Sequence, residues 1–161
     1  MTQAEKDRII KDLREKLAEA EKIEVDKPSH WKPEYDEIYW HVYDGAIYQT
    51  HWHDDIYDNW RYLIGNCFET RKETETCKKK IEYTAIYKNY VEKHSEPLDW
   101  KNRNQQKYNA YYNTNNEEIC VESSAYACCQ GTIYASSEEI IWDAINSIRE
   151  DNFKRYVLGV E

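Results

Sequence analysis

The sequence predicts an α+β protein: two tandem ββ-β-α units with antiparallel sheet, preceded by an N-terminal coiled-coil-like helix. Three observations carry this. Apolar residues near the N-terminus recur at 3-4-3 spacing. Two later stretches alternate with period two around turn-forming residues. Finally, a skeleton of Gly, polar residue, two strand formers, hydroxyl and Glu occurs twice, at residues 65–73 and 131–139. Residues 1–26 are assigned to the helix and 31–161 to the α+β domain, with halves at 31–96 and 97–161.

In order, Ile10, Leu13, Leu17 and Ala20 form a narrow apolar seam on a helix over residues 3–24, charged on its other faces. A seam of this kind suits a coiled coil. About three heptads is marginal for an isolated helix, so Ile10, Leu13 and Leu17 are expected to meet a second copy and make a homodimer. Asp26-Lys27-Pro28 ends the helix. Residues 38–43 and 46–52 flank Asp44-Gly45, a dipeptide made for a tight hairpin turn. Residues 54–62 are a polar-aromatic loop or short helix, and 65–68 a short strand. Thr70 followed by Glu73 is a capping box opening a helix over 71–94. The second half repeats the plan: a hairpin of 108–112 and 118–123, a strand at 131–134, a capping box of Ser136 and Glu139, and a helix whose Ile140, Ile141, Ala144, Ile145 and Ile148 make a buried stripe.

Composition narrows the function classes. Fifteen Tyr and six Trp stand beside two Phe and one Met, which favours half-exposed sheet faces and recognition surfaces over a greasy interior. Five cysteines, odd in number and without a C-x-x-C pair, do not make a secreted disulfide framework. With no run of about 20 apolar residues and no apolar leader, the expected compartment is the cytoplasm of a bacterial host cell.

Charge is unevenly spread. The net charge of −9 divides into −1 over residues 1–30, −6 over 31–70, +4 over 71–107 and −6 over 108–161. An acidic surface repels phosphate and attracts basic protein. Aromatics interleaved with acids supply desolvated anchors for such a contact. The expected partner-binding residues are therefore Trp52, Asp54, Asp55, Tyr57, Asp58 and Trp60, and the expected partner is a basic protein.

No catalytic residue is assigned. G-x-S-x-G, a phosphate loop and a dinucleotide fingerprint are all missing from the sequence, and no cofactor is expected. His51 and His53 point to one face of a strand, and with Asp54 or Asp55 they have zinc-binding chemistry. No distant ligand at convincing spacing completes them, so no metal is expected either.

The order of charged helix, Trp31-Lys32-Pro33-Glu34-Tyr35, Tyr-rich hairpin, Ile64-Gly65-Asn66-Cys67-Phe68-Glu69-Thr70, long helix and terminal Leu158-Gly159-Val160-Glu161 resembles small uncharacterised proteins encoded by phages and prophages of gut Firmicutes. The resemblance implies a mobile-element accessory protein. Such proteins are often inhibitors of host defence, anti-CRISPR proteins among them. The resulting expectation is a non-enzymatic inhibitor that mimics DNA and occupies the basic channels of a type II CRISPR nuclease with its guide RNA. Three rival expectations stand beside it: a nucleic-acid-binding protein using the basic helix and loop of 71–107, a protein that sequesters a nucleotide signal in a Tyr- and Trp-lined pocket, and an assembly factor of the phage particle.

Overall fold

The computed structural model describes residues 5, 6, 10 and 11 and residues 31–160. The four N-terminal residues are helical and Ile10 is about half exposed. Leu13 and Leu17, and with them the expected dimer seam, lie outside the described residues.

Residues 31–160 form an α+β structure with two separate antiparallel two-stranded sheets. Strands β1 (Ile38–Tyr43) and β2 (Ala46–His51) make the first hairpin. Its turn places both Asp44 and Gly45 at positive φ, 47° and 71°, the backbone that matches the right-handed twist of the flanking strands. Helix α1 (Ile56–Leu63) follows, then the long helix α2 (Arg71–His94). Strands β3 (Lys107–Asn113) and β4 (Glu118–Ser124) make the second hairpin. Helix α3 (Glu138–Ile148) leads through Arg149, at φ 71°, into a short helical turn, α4 (Glu150–Asn152), and a π-helical turn at Phe153–Val157.

The sheets do not merge into one, and the third strand of each unit shrinks to a single bridged residue. Phe68 exchanges both backbone hydrogen bonds with Trp40, each 2.9 Å. Ala135 does the same with Tyr108, at 2.8 and 2.9 Å. Asn66 extends the first bridge with its side chain, whose amide donates to the Val42 carbonyl at 2.7 Å and accepts from the Val42 N–H at 2.8 Å. That amide does the work of another strand residue, which is why a run of alternation is not needed there.

Each helix has its N-cap two residues after its bridged residue. Thr70 and Glu73 form the expected capping box at the start of α2. The second cap moves by one residue: Ser137, not Ser136, accepts from the Ile140 N–H. Ser136 instead accepts from the Glu96 N–H and has its own N–H held by Ser95 Oγ, tying the end of α2 to the start of α3. The bridge at Ala135 rather than Tyr134 carries the whole register forward by one.

The apolar core lies where α2 and α3 face each other beneath the second hairpin. Tyr87 and Val91 of α2 meet Ile141, Ala144, Ile145 and Ile148 of α3, with Phe153 closing one end at 4.8 Å from the Tyr87 ring. This is the stripe that the sequence marks. The first hairpin has a different interior: its inward residues are Tyr39, His41 and Trp52, with Asp58 and Thr74 buried beside them.

Ile145 has no exposed surface, so Ile145→Ala removes three buried carbons and leaves a cavity. The expected loss is about 2–4 kcal/mol of unfolding free energy, read as a fall in the urea midpoint, while Ile140→Ala at the half-buried edge of the same helix loses clearly less.

Candidate protein-interaction surface

The sequence places a run of acids and aromatics between the first hairpin and α2. Its local structure follows from Asp55, whose carboxylate accepts from the Tyr57 and Asp58 N–H groups, both at 2.8 Å, and so caps α1. Asp54, at φ 56°, supplies the bend before it. Asn59 holds the turn from above, donating to the Asp54 and Asp55 carbonyls at 3.1 and 2.8 Å.

Starting the helix there fixes which way it faces. Asp58 points inward and is 3% exposed. Its carboxylate accepts from the Tyr39 hydroxyl at 2.7 Å through one oxygen and from the His53 N–H at 2.7 Å through the other. Arg61 stands one turn on, with Nη1 at 3.5 Å from Asp58 Oδ1 and donating to Tyr39 Oη at 2.8 Å. Burial by itself raises a carboxyl pKa, but the Tyr39 and His53 hydrogen bonds and the Arg61 charge outweigh it and hold Asp58 below the ordinary carboxylate value. Burial, and then the bond to Asp58, push the Tyr39 hydroxyl well up, so the proton stays on Tyr39. Trp52 is also interior, 2% exposed and edge-on to Tyr39 and Tyr62.

Two of the six expected partner-binding residues are therefore structural. Trp52 and Asp58 are anchors of the fold and present no surface to a partner. A buried carboxylate is held by hydrogen bonds and charge partners, and nothing in the local sequence marks Asp58 off from its exposed neighbours. The other four are outside: Asp54, Asp55, Tyr57 and Trp60 are exposed.

With the polar side of α1 turned in, its apolar side is turned out. Ile56, Tyr57, Trp60, Leu63 and, just past the last turn, Ile64 are between 57% and 78% exposed. At helical spacing these five share one stripe, and Tyr57 and Trp60 pack edge-to-face at 6.0 Å. Large side chains this open leave an apolar patch of roughly 500 Å², near the upper end of what monomeric proteins expose. Ile56, Leu63 and Ile64 were missed because residues 54–62 read as a polar-aromatic loop or short helix, and only a helix continued to Leu63 puts them on one face with Tyr57 and Trp60.

Two acids, Asp54 and Asp55, stand at the N-terminal end of the patch. Asp36, on the segment before β1, has His51 Nδ1 at 3.2 Å and His53 Nε2 at 3.6 Å from its carboxylate. Lys32 is 3.8 Å from Asp54 and lies over the Trp52 ring at 5.1 Å. The two histidines stack with each other, but among the described residues no group of three or more His, Cys, Asp or Glu is placed to hold a metal ion. At the other end of α1, a cavity of about 300 Å³ is lined by Trp31, Tyr62, Phe68, Glu69 and Glu73 among others. Its two carboxylates are the wrong charge for a nucleotide phosphate.

Four of the ten cations of the basic stretch 71–107 are engaged within the fold. Arg71, Lys78 and Lys88 are each paired with a glutamate one turn on, at 3.0, 2.8 and 3.6 Å. Lys107 is fully buried, its ammonium donating to the Asn102 and Gln105 carbonyls and lying over Trp100. Among the described residues no helix is long and apolar enough to cross a membrane. Comparison with family models, with curated proteins and with solved structures found no match.

His41 gives the anchor a pH signature. It is 5% exposed, and Nδ1 has no hydrogen-bond partner among the described residues. Burial first, and the Arg61 charge second, lower its pKa from 6.5, with Asp58 opposing. The unfolded chain therefore binds a proton at His41 that the folded chain resists, and stability falls as pH drops from about 6.5 toward the lower folded value. The Asp58 contribution is lost only further down, below the ordinary carboxylate range. Urea unfolding between pH 7.5 and 5 should show this decline, and His41→Gln should flatten it.

Proposed function

We propose that this protein works by gripping a basic protein partner, and that the outward face of α1 is the contact. The single observation behind this reading is the inversion of α1: a helix held by a buried Asp58 carboxylate, with Tyr57, Trp60, Leu63 and their neighbours turned to solvent and Asp54 and Asp55 exposed at its N-terminal end. Exposing five large apolar side chains costs solubility and gains nothing for a monomer. Against a partner they supply the desolvated centre of an interface, and Trp and Tyr are the residue types that most often dominate binding energy there. The two acids select a positive surface and speed encounter with it. A patch of this size plus these acids approaches the roughly 800 Å² per side of a standard stable interface.

The protein is non-enzymatic in this reading, and its partner is a host defence nuclease whose nucleic-acid channel supplies the positive surface. The guide-loaded type II CRISPR nuclease expected from the phage-protein resemblance is the first partner to try. Two tandem units, each a hairpin with a bridged residue and a capped helix, divide the labour: the first carries the contact and the second carries most of the apolar core.

The variant pair Trp60→Ala and Leu63→Ser tests the surface. Both side chains are exposed, so the thermal midpoint should stay within a few degrees of wild type. Association with the guide-loaded nuclease, measured by interferometry at moderate salt, should weaken at least tenfold for Trp60→Ala. Unchanged affinity in both variants removes α1 from the contact.

A further inference from the structure

The loop between β4 and α3 carries Cys128 and Cys129, adjacent in sequence and both exposed. They differ from the other cysteines. Burial pushes the Cys67 thiol up to about 12 and also raises Cys77, so neither is an effective nucleophile near neutral pH. Cys120 is half-buried in β4, its thiol facing Glu118 at 3.8 Å.

The loop is built around Tyr134. The Cys129 N–H donates to Tyr134 Oη at 3.0 Å, and the Thr132 N–H closes a turn on the Cys129 carbonyl at 3.2 Å. Cys128 and Cys129 are consecutive, which holds their Cα atoms about 3.8 Å apart. Cys128 also lines a cavity of about 330 Å³ together with Val91, Leu98, Trp100, Ile133 and Tyr134. Trp100 and Tyr134 meet edge-on there at 4.9 Å. One open thiol, Cys128, thus stands on a hollow whose wall mixes apolar and aromatic side chains with Lys88, Glu92 and Thr132, and the second open thiol is its chain neighbour.

We propose that Cys128 and Cys129 form a dithiol binding site for a thiophilic centre that takes two thiolates, with trivalent arsenicals as the ligand class. In the capture step two sulfur–arsenic bonds form. Each thiol gives up its proton to the oxygen of the arsenous group, and that oxygen leaves as water with no change of oxidation state. Chelation by neighbouring sulfurs makes the adduct stable against monothiols, because one incoming thiol must displace both ends. The cavity beside Cys128 takes the organic substituent. The site stands apart from α1 and does not depend on the reading of that helix.

Phenylarsine oxide is the probe. The protein is labelled, washed with excess 2-mercaptoethanol and weighed by intact mass spectrometry. One retained adduct per chain is expected, and it should be released by 1,2-ethanedithiol. Both Cys128→Ser and Cys129→Ser should lose the retained adduct, while the triple variant Cys67→Ser, Cys77→Ser and Cys120→Ser keeps it. The exposed positions make the two single variants safe for folding, and circular dichroism verifies this. No retained adduct on the wild-type protein overturns the proposal. So does retention by either single variant, since the second sulfur then comes from elsewhere.

Discussion

One carboxylate organises the N-terminal half of this protein. Asp58 ties together strand β1 through Tyr39, the end of β2 through the His53 N–H, and helix α1 itself through Arg61. A carboxylate buried to this degree is tolerable only when its lone pairs and charge are answered, and here each oxygen has a short donor. Breaking a buried pair of this kind by removing one partner typically costs about 3–5 kcal/mol. The anchor therefore sets the rotation of α1, and the outward apolar stripe follows from it.

The two halves are held by different physics. Around α3 the interior is aliphatic, with Ile141, Ile145 and Ile148 against Val91 and Tyr87. Under the first hairpin it is aromatic and polar, with Tyr39, His41, Trp52 and Asp58. Helix α2 joins them, since its start is capped beside the Phe68 bridge and its end is tied to Ser136. The fifteen Tyr follow neither interior closely: Tyr39 is buried in one and Tyr87 in the other, and the remaining thirteen are half-buried or exposed, where a ring with a polar tip is suited to the boundary with water.

Much of the fold was legible in the sequence because it rests on local chemistry. Asp44-Gly45 names its own turn, Thr70 and Glu73 name a helix start, and the Ile-rich period of 138–148 names a core face. The single bridged residues at Phe68 and Ala135 were not legible as such, because one residue carries no period. That same shortness hid the shift from Ser136 to Ser137 at the second cap. At the surface, Asp54, Asp55, Tyr57 and Trp60 were read as exposed and are exposed. Asp58 and Trp52 sit in the same run but point the other way, and only the Tyr39 hydroxyl, nineteen residues upstream, distinguishes Asp58 from its neighbours.

The most direct test of the account is amide hydrogen exchange on the full chain, with and without the guide-loaded type II CRISPR nuclease. The account expects added protection over α1 and the Asp54–Asp55 turn before it, with the β3–β4 hairpin unchanged. Protection confined to α2 and the 97–107 loop, or no change anywhere under conditions where the nuclease is active, contradicts it.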